Sequence, residues 1–177
     1  MSRSVAVAAP PSTARLALRE LRFSDVDDVY RLDSDPRVMR YIGDGSVRTR
    51  AEVVSALARA PAYYRNYPGL GVWASEKRET GRFIGWFCLK YMPETADVEV
   101  GYRLLPEAWG KGYATEGASA LVRYGFETLG LYRIVGVTHP DNDVSQRVLR
   151  KAGLRDAGWT RYWKREVRLF AAENPLR

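Results

Sequence analysis

The sequence predicts a single domain of the α/β (α+β) class, with a mixed sheet of about seven strands flanked by about four helices. Three observations predict this fold. Strand-like alternation and helix-like periodicity follow each other in the order β-α-α-β-β-β-α-β-α-β-β. The chain has no internal repeat, and its 177 residues are 46% hydrophobic and 28% charged, which is the size and composition of one globular domain.

The composition excludes several kinds of protein. No apolar run approaches the roughly 20 residues that span a bilayer, and Val5 to Ala9 is too short for a secretory segment, so we expect a soluble cytoplasmic protein without membrane contact. The single cysteine, Cys88, excludes an intramolecular disulfide. Because His139 is the only histidine, soft ligands are too few for a zinc cluster, and we expect no metal.

The charge balance is basic but dispersed. Lys and Arg number 28 against 21 Asp and Glu, which gives a net charge of +7. Such a balance is compatible with a nucleic-acid surface or an anionic ligand. The basic residues are scattered among acidic ones with no run of five like charges, which favours an ordinary solvated surface. A small ligand that carries phosphate and a nucleic acid remain as alternatives.

The N-terminal residues differ in composition from the rest of the chain. Residues 1–13 are small, contain Pro10-Pro11 and have no period, so they are predicted to be a flexible leader. The domain is predicted to occupy residues 14–177. Its first strand is predicted at Arg15–Arg22, where apolar and polar residues alternate.

Two capping patterns predict the first two helices. Ser24 is followed three residues later by Asp27, and Thr49 is followed by Glu52 at the same spacing. We expect Pro61 to end or kink the second helix, because proline lacks the N–H that helical hydrogen bonding needs.

The middle of the chain predicts three consecutive strands. Leu70–Ser75 and Arg82–Tyr91 flank a polar turn and form a predicted antiparallel hairpin. In Asp97–Leu104 the apolar residues alternate with a polar face that includes Glu99 and Arg103.

The second half alternates helices and strands. A long amphipathic helix begins at Tyr113, a strand is predicted at Tyr132–Thr138, and a helix at Asp143–Ala152 is stopped by Gly153. Arg155–Ala172 holds the last two strands, with a turn near its middle that the pattern does not place.

The segment EVGYRLLPEAWGKGYATE, residues 99–116, carries the strongest chemical signal. Gly110 and Gly112 lie where a strand has ended and a helix begins, so N–H groups of about Lys111 to Thr115 can point at one anion beside the positive helix end. A tight turn without a ligand is the alternative. The segment lacks the third glycine of a dinucleotide-binding loop, and Leu105 stands where a Walker loop needs its first glycine.

The sequence resembles the GNAT superfamily of acyl-CoA-dependent N-acetyltransferases, and within it the ribosomal-protein (RimJ/RimL-type) branch. The resemblance covers roughly Arg15 to Ala172. It rests on the segments TARLALRELRFSD, DSDPRVMRYIG, ETGRFIGWFCL, VEVGYRLLPEAWGKGYATEG and THPDNDVSQRVLRKAGL. It implies a strongly twisted sheet in which the strands from Asp97 and Tyr132 splay apart, with acetyl-CoA as cosubstrate in the opening.

The resemblance also implies a set of residues that bind the cofactor. The pantetheine arm would lie along the backbone of Leu104 and Leu105 like an added strand. The pyrophosphate would be held by Gly110, Lys111, Gly112, Tyr113, Ala114 and Thr115. Glu107 departs from the family pattern, which has Gln or Arg at this place.

Asn142 and Ser145 form a second constellation, at the start of the next helix. Simple helix capping by Asn142 is one interpretation. The resemblance implies that Asn142 hydrogen-bonds the pantetheine arm and that the Ser145 hydroxyl lies near the thioester sulfur. Many family members have a tyrosine where this chain has Leu149, so Ser145 or an ordered water is our candidate for the acid that protonates the thiolate.

The reaction needs a base, because only a neutral amine can attack a thioester. Glu99 is our candidate catalytic base, on the polar face of the strand that lines the cleft; a simple pairing with Arg103 is the alternative. A backbone N–H near Leu105 could hold the developing oxyanion. Cys88 is expected to be an inert core thiol.

The acceptor is the least determined part. Trp159 and Tyr162 are our candidate acceptor contacts, although aromatic residues of this kind are more often core. We expect the partner to be an amine, either a small molecule or a protein N-terminus, and a homodimer is left open. The alternatives to an N-acetyltransferase are a non-catalytic acyl-CoA-binding module and, less favoured, a basic nucleic-acid-binding domain.

Overall fold

The computed structural model of the chain describes residues 9–175. Most of the predicted leader, residues 1–8, and the last two residues of the predicted domain lie outside this range. Within it, Ser12 and Thr13 hydrogen-bond to the folded domain, since the Arg78 guanidinium donates to Ser12 and the Thr13 hydroxyl donates to Glu116 at 2.6 Å. Contact with the domain thus begins slightly before the predicted boundary.

A mixed seven-stranded sheet is confirmed, in the order β1-β2-β3-β4-β5-β7-β6. Its strands are β1 Leu16–Glu20, β2 Gly71–Lys77, β3 Phe83–Tyr91, β4 Val98–Leu104, β5 Arg133–Thr138, β6 Arg155–Tyr162 and β7 Arg165–Glu173. Neighbouring strands pair antiparallel, except that β4 and β5 pair parallel. The unplaced turn of the last hairpin consists of Trp163 and Lys164, both with positive φ, as a tight two-residue hairpin turn requires.

The sheet is flanked by five helices in the described part of the chain. They are α1 Val26–Asp33, α2 Pro36–Met39, α3 Arg50–Asn66, α4 Tyr113–Glu127 and α5 Asp143–Lys151. The short α2 was not predicted, and it begins where Asp35 accepts a hydrogen bond from the Arg37 N–H ahead of a single turn. Among residues 9–175, no helix is long and apolar enough to cross a membrane.

The capping predictions are confirmed for the second helix and wrong for the first. Thr49 and Glu52 form a reciprocal capping box at the start of α3. Ser24 does not cap α1, because it lies inside a 3₁₀ turn, Phe23–Asp25, that leads into the helix. Of the two outcomes expected at Pro61, an end of the helix or a kink, the end is wrong, since α3 continues through Pro61 to Asn66.

The helices cover both faces of the sheet, and the side chains of β3 alternate between them. Phe87 belongs to the hydrophobic cluster that includes the buried face of α4. Its neighbour Trp86 packs against a second cluster built with α1 and α3. α4 approaches β3 closely at Gly117, where a Cβ would lie 2.3 Å from the Phe87 ring. The absence of a side chain at Gly117 therefore sets the distance between α4 and the sheet.

Replacing Gly117 with alanine tests this close approach. Overpacking of this kind costs about 1–3 kcal/mol, whereas the better helix propensity of alanine returns about 1 kcal/mol. Because Phe87 is fully buried and cannot move aside, we expect the free energy of unfolding of Gly117→Ala to fall by about 1–2 kcal/mol in urea denaturation. Ser119→Ala on the same helix is the control and should change it by less than about 0.5 kcal/mol. Equal stability of the two variants would contradict the packing argument.

Candidate functional site

β4 and β5 stay paired over only two residue positions. Val98 lies opposite Ile134 and Glu99 lies opposite Val135, after which the strands diverge. The Leu105 N–H donates to the Ile84 carbonyl of the β3 side at 2.9 Å. Because successive residues of a strand turn their main chain to opposite sides, the main chain of Tyr102 faces the gap. The predicted opening is thus present, and it has an unpaired strand edge along one side.

The backbone groups of Leu104 and Leu105 are more engaged than the sequence suggested. The Trp109 indole N–H donates to the Leu104 carbonyl at 2.8 Å, while the Leu104 N–H faces the gap. The Leu105 carbonyl accepts from the Ala108 N–H at 2.9 Å, and its N–H is already donated to β3. The Leu105 N–H itself is therefore not free for an oxyanion, and the N–H near Leu105 that faces the gap is that of Leu104.

The glycine-containing loop has the geometry of an anion cradle. Gly110 and Gly112 both adopt left-handed backbone conformations, with φ of 70° and 79°. The first helical hydrogen bond of α4 runs from the Glu116 N–H to the Gly112 carbonyl, at 3.0 Å. Within residues 9–175, the N–H groups from Lys111 to Thr115 have no hydrogen-bond acceptor. These N–H groups, at the positive end of α4, can hold one anion together.

Lys111 and Arg15 are cations beside this loop. The Lys111 ammonium turns back to donate to the Glu107 carbonyl at 2.7 Å. Arg15, which the sequence did not suggest, donates to the Lys111 carbonyl at 2.9 Å and pairs with Glu116 at 2.6 Å. Its guanidinium also lies 4.5 Å from the Tyr113 ring centroid. No local pattern could reveal this contact, because the two segments are far apart in the chain.

Asn142 and Ser145 are brought to the mouth of the gap, together with a residue that the sequence reasoning missed. The Asn142 side chain accepts from the Ser145 N–H at 3.1 Å, which is the predicted helix cap. The Ser145 hydroxyl lies 2.9 Å from the phenol oxygen of Tyr102. Burial raises the pKa of Tyr102 to about 12, so this phenol stays protonated. Strand alternation places Tyr102 on the apolar face of β4, and this pattern alone gives no sign of its contact with Ser145.

Glu99 is buried, with 5% of its surface exposed, and it has two partners. The Lys90 ammonium lies 2.5 Å from Oε1, and the Tyr162 phenol donates to the same oxygen at 2.8 Å. Arg103 does not pair with Glu99, because it binds Asp33 at 2.5 Å instead. The alternative of a Glu99–Arg103 pair is thus wrong. Oε2 of Glu99 accepts no hydrogen bond from the described residues.

The two partners of Glu99 hold their protons firmly. Burial alone would lower the pKa of the Lys90 ammonium, but Cys88, Glu99 and Tyr162 together raise it above its ordinary value. Burial and the neighbouring Glu99 carboxylate raise the pKa of Tyr162. Both groups therefore remain hydrogen-bond donors at neutral pH, and they fix the direction of the Glu99 side chain.

The candidate acceptor contacts are not gathered together. Tyr162 reaches the cleft through its bond to Glu99, whereas Trp159 is 56% exposed and carries the Arg168 guanidinium over its ring at 4.9 Å. An odd spacing along a strand places two side chains on opposite faces, so these two cannot line one pocket. Cys88 is fully enclosed, and burial raises its pKa to about 12, as an inert thiol requires.

Comparison with known proteins decides the family. The profile of an acetyltransferase (GNAT) domain matches residues 15–155. This chain belongs to the GNAT acetyltransferase family. The acetyltransferase is 35% identical to the FsC-acetyl coenzyme A-N(2)-transacetylase of Aspergillus fumigatus, over 80% of this chain but only 63% of that longer protein. It is 33% identical to an uncharacterized N-acetyltransferase, YoaA, of Bacillus subtilis, over 85% of each chain.

Solved structures agree with this assignment. A GNAT-family acetyltransferase from Bacillus anthracis superposes with a TM-score of 0.77 at 25% identity, covering 93% of this chain and 98% of that one. RimL, a ribosomal L7/L12 alpha-N-protein acetyltransferase in complex with coenzyme A, superposes with a TM-score of 0.77 at 16% identity, covering 94% and 98%. The second likeness concerns the fold alone. The GNAT family and the N-acetyltransferase class are thus confirmed, whereas the ribosomal-protein branch is not decided by it.

Replacing Gly112 with valine tests the anion cradle of this GNAT domain. A Cβ at Gly112 would lie 3.4 Å from the Arg15 guanidinium, and valine would strain the left-handed backbone that directs the free N–H groups, so we expect coenzyme A affinity to fall at least about tenfold. The readout is the increase in melting temperature that coenzyme A produces.

Gly153→Val is the matched control for this experiment. Gly153 also has a positive φ, of 98°, and open space around it, so valine there carries a similar backbone cost away from the loop. The control should lose stability without losing the coenzyme A response. An unchanged response in Gly112→Val would remove the loop from the site.

Proposed function

We propose that this chain is an acetyl-CoA-dependent N-acetyltransferase in which a primary amine attacks the thioester directly. The observation that carries the proposal is the run of free N–H groups from Lys111 to Thr115 beside the gap between β4 and β5. One opening then serves both the diphosphate and the acyl arm of a coenzyme A thioester. Family membership favours this enzyme over an acyl-CoA-binding module without turnover and over a nucleic-acid-binding domain.

The donor is held by main-chain groups for most of its length. The pantetheine amides extend along the free edge of β4 and bond to the main chain of Tyr102 and to the Leu104 N–H, as an added strand would. The Asn142 amide nitrogen, which its capping bond leaves free, donates to the same arm. The pyrophosphate lies on the loop from Gly110 to Thr115. This assignment keeps all the predicted cofactor-binding residues except Leu105, and it adds Tyr102.

Glu99 serves as the base that takes a proton from the acceptor ammonium. Its Oε1 is occupied by Lys90 and Tyr162, so the proton is accepted at Oε2, directly or through one water. Lys90 and Tyr162 act as positioning residues, because they fix the carboxylate without contacting the acceptor. The deprotonated amine then attacks the thioester carbon, and the carbon–sulfur bond breaks.

Ser145 serves as the acid that protonates the departing thiolate. A serine hydroxyl alone is a weak acid, but the adjacent Tyr102 phenol can donate to it while the serine proton goes to sulfur. This pair takes the place of the family tyrosine that is Leu149 here.

Several further assignments remain proposals. We assign the chain to the RimJ/RimL-type branch on the motifs of its own sequence, and the acceptor is a small amine or a protein N-terminus. The cytoplasmic location stays a prediction of the sequence, and a homodimer stays open. Tyr162 stays a candidate acceptor contact. Trp159 is no longer proposed as one, because its side chain lies on the other face of β6.

The proposed function is tested by incubating the protein with acetyl-CoA and a panel of amines and peptides. We expect release of coenzyme A thiol and formation of the acetylated amine. For Glu99→Gln we expect the turnover number at neutral pH to fall about 10²–10⁴-fold, because a carboxamide cannot accept the proton. The melting-temperature increase caused by coenzyme A should stay as in the native protein.

The exposed Glu127→Gln variant is the control, and its turnover should equal that of the native protein. Native turnover in Glu99→Gln at all pH values would show that another group is the base. Coenzyme A binding without any turnover would support the binding module instead.

Replacing Ser145 with alanine tests the proposed acid. The Asn142 cap uses the Ser145 backbone N–H, so the helix should remain intact while turnover falls about 10²-fold or more. Tyr102→Phe should lower turnover less. If the two hydroxyls act as a pair, the double variant should be no slower than Ser145→Ala alone, which steady-state kinetics will show. Independent, additive losses would contradict a shared role.

A further inference from the structure

A buried carboxylate on the acceptor side of the sheet holds two arginines. Asp33, at the end of α1, lies 2.5 Å from the Arg103 guanidinium and 3.6 Å from that of Arg48. The Arg48 N–H also donates to the Asp33 carbonyl at 2.9 Å, which fixes Arg48 beside the pair. Asp33 and Arg103 are only 2% and 7% exposed. This Asp33–Arg103–Arg48 cluster therefore carries one net positive charge, with a buried pair inside and the Arg48 side chain, 42% exposed, at its solvent edge.

Arg103 leaves most of its hydrogen-bonding capacity unused. A guanidinium has five N–H donors, and within residues 9–175 only one of those of Arg103 forms a hydrogen bond, to Asp33. Its Nε is buried without any partner. Burial lowers the pKa of Arg103 even though Asp33 acts in the opposite direction. The Trp86 ring, whose centroid lies 4.9 Å from the guanidinium, also stabilises this charge. Asp33 is nevertheless the one anion that the described residues place against Arg103, and a second anion would stabilise it further.

The cluster lies on the same face of β4 as the proposed base. Glu99, Gly101 and Arg103 alternate along this face, and their cross-strand partners on β3 are Lys90, Cys88 and Trp86. Gly101 has no side chain and is partly exposed, and the Cys88 sulfur lies against its backbone, 2.9 Å from where a Cβ would stand. Four residues of strand separate Glu99 from Arg103, which is about 13 Å between their Cα atoms. A carboxylate thus stands at one end of this face of β4, and the positively charged cluster stands at the other.

We infer that Arg103 and Arg48 bind an anionic group of the acceptor, so that the acceptor is an amine that also carries a carboxylate several bonds away. This inference rests on the proposed function, because it places the amine at Glu99. The free N–H donors of Arg103 can bind a carboxylate through two hydrogen bonds, and the partly exposed Arg48 adds a second positive charge beside it. A polyamine would bring a second cation towards the cluster, which costs energy in a desolvated site.

A purely structural ion pair explains less of the arrangement. An isolated Arg103–Asp33 pair would be neutral and would need no second arginine fixed to the Asp33 backbone. A bound carboxylate accounts for the second arginine, because it would balance the extra positive charge.

The test uses the native protein with acetyl-CoA and matched pairs of acceptors. One arm compares ω-amino carboxylates of increasing chain length with their carboxamides, and the other compares peptides with Glu or Gln at the second position. We expect kcat/KM to be about tenfold or more higher for the acids than for their neutral partners, since a hydrogen bond to a charged group is worth this much. Spermidine should be a poor acceptor. The arm with the larger ratio identifies a small molecule or a peptide as the source of the anion.

Two arginine variants separate the cluster from general charge effects. Arg48→Gln should lower the preference for acid over carboxamide about tenfold. Arg50→Gln is the matched control, because Arg50 is also exposed but pairs with Asp27 at 2.6 Å away from the cluster. It should keep the native preference. Arg103→Lys retains the positive charge beside Asp33 and should fold. It should nevertheless lose the preference for acids over carboxamides, because an ammonium cannot form two parallel hydrogen bonds to a carboxylate.

The outcomes distinguish this inference from the proposed function. Turnover that is equal for acids and carboxamides, or that favours spermidine, would overturn the anion site and leave the enzyme in place. If no amine is acetylated, the proposed function fails, and the cluster is then tested by melting with coenzyme A and N-acetylated ω-amino carboxylates. Stabilisation by the acids above their carboxamides would still support the anion site, and equal stabilisation would refute it.

Discussion

The parting of β4 from β5 is the constraint on which the rest of the structure depends. Parallel pairing ends after Glu99, and every main-chain group beyond that point must find another partner or face solvent. The Leu105 N–H donates to β3, and the Leu104 carbonyl accepts from the Trp109 indole N–H. The main chain of Tyr102 faces the gap, where an extended ligand can pair with it. The glycine loop that follows then places free N–H groups at the end of the same opening.

The two faces of β4 divide the chemistry between them. Tyr102 points to the side of α4 and α5, where its phenol meets Ser145. Glu99 and Arg103 point to the other side, where an acceptor can approach a transferred acyl group. Both charged residues are buried, and each takes its counter-charge from another element, Lys90 on β3 and Asp33 on α1. In the proposed function, a single strand therefore separates the residues that act on the thiol from those that act on the amine.

Local signals were sufficient for most of the fold and for the cofactor loop, because strand alternation, the Thr49 cap and the glycines act between residues close in sequence. They failed where the outcome depends on distant partners. Asp33 and Arg103 are 70 positions apart, so their pairing leaves no trace in a short window. Pro61 remained within α3 because proline costs one helical hydrogen bond, which a helix held by a capping box and a buried face can lose.

Cys88 lies across from Gly101 on the face of the sheet that carries the two charged residues of β4. A Cβ on Gly101 would come within 2.9 Å of its sulfur, so this sulfur and the bare backbone beside it share one narrow space. The thiol is enclosed and stays protonated at neutral pH. Because it is the chain's sole cysteine, a sulfhydryl-reactive dye has no exposed thiol of the protein to react with, so that colour in the proposed assay would report coenzyme A release.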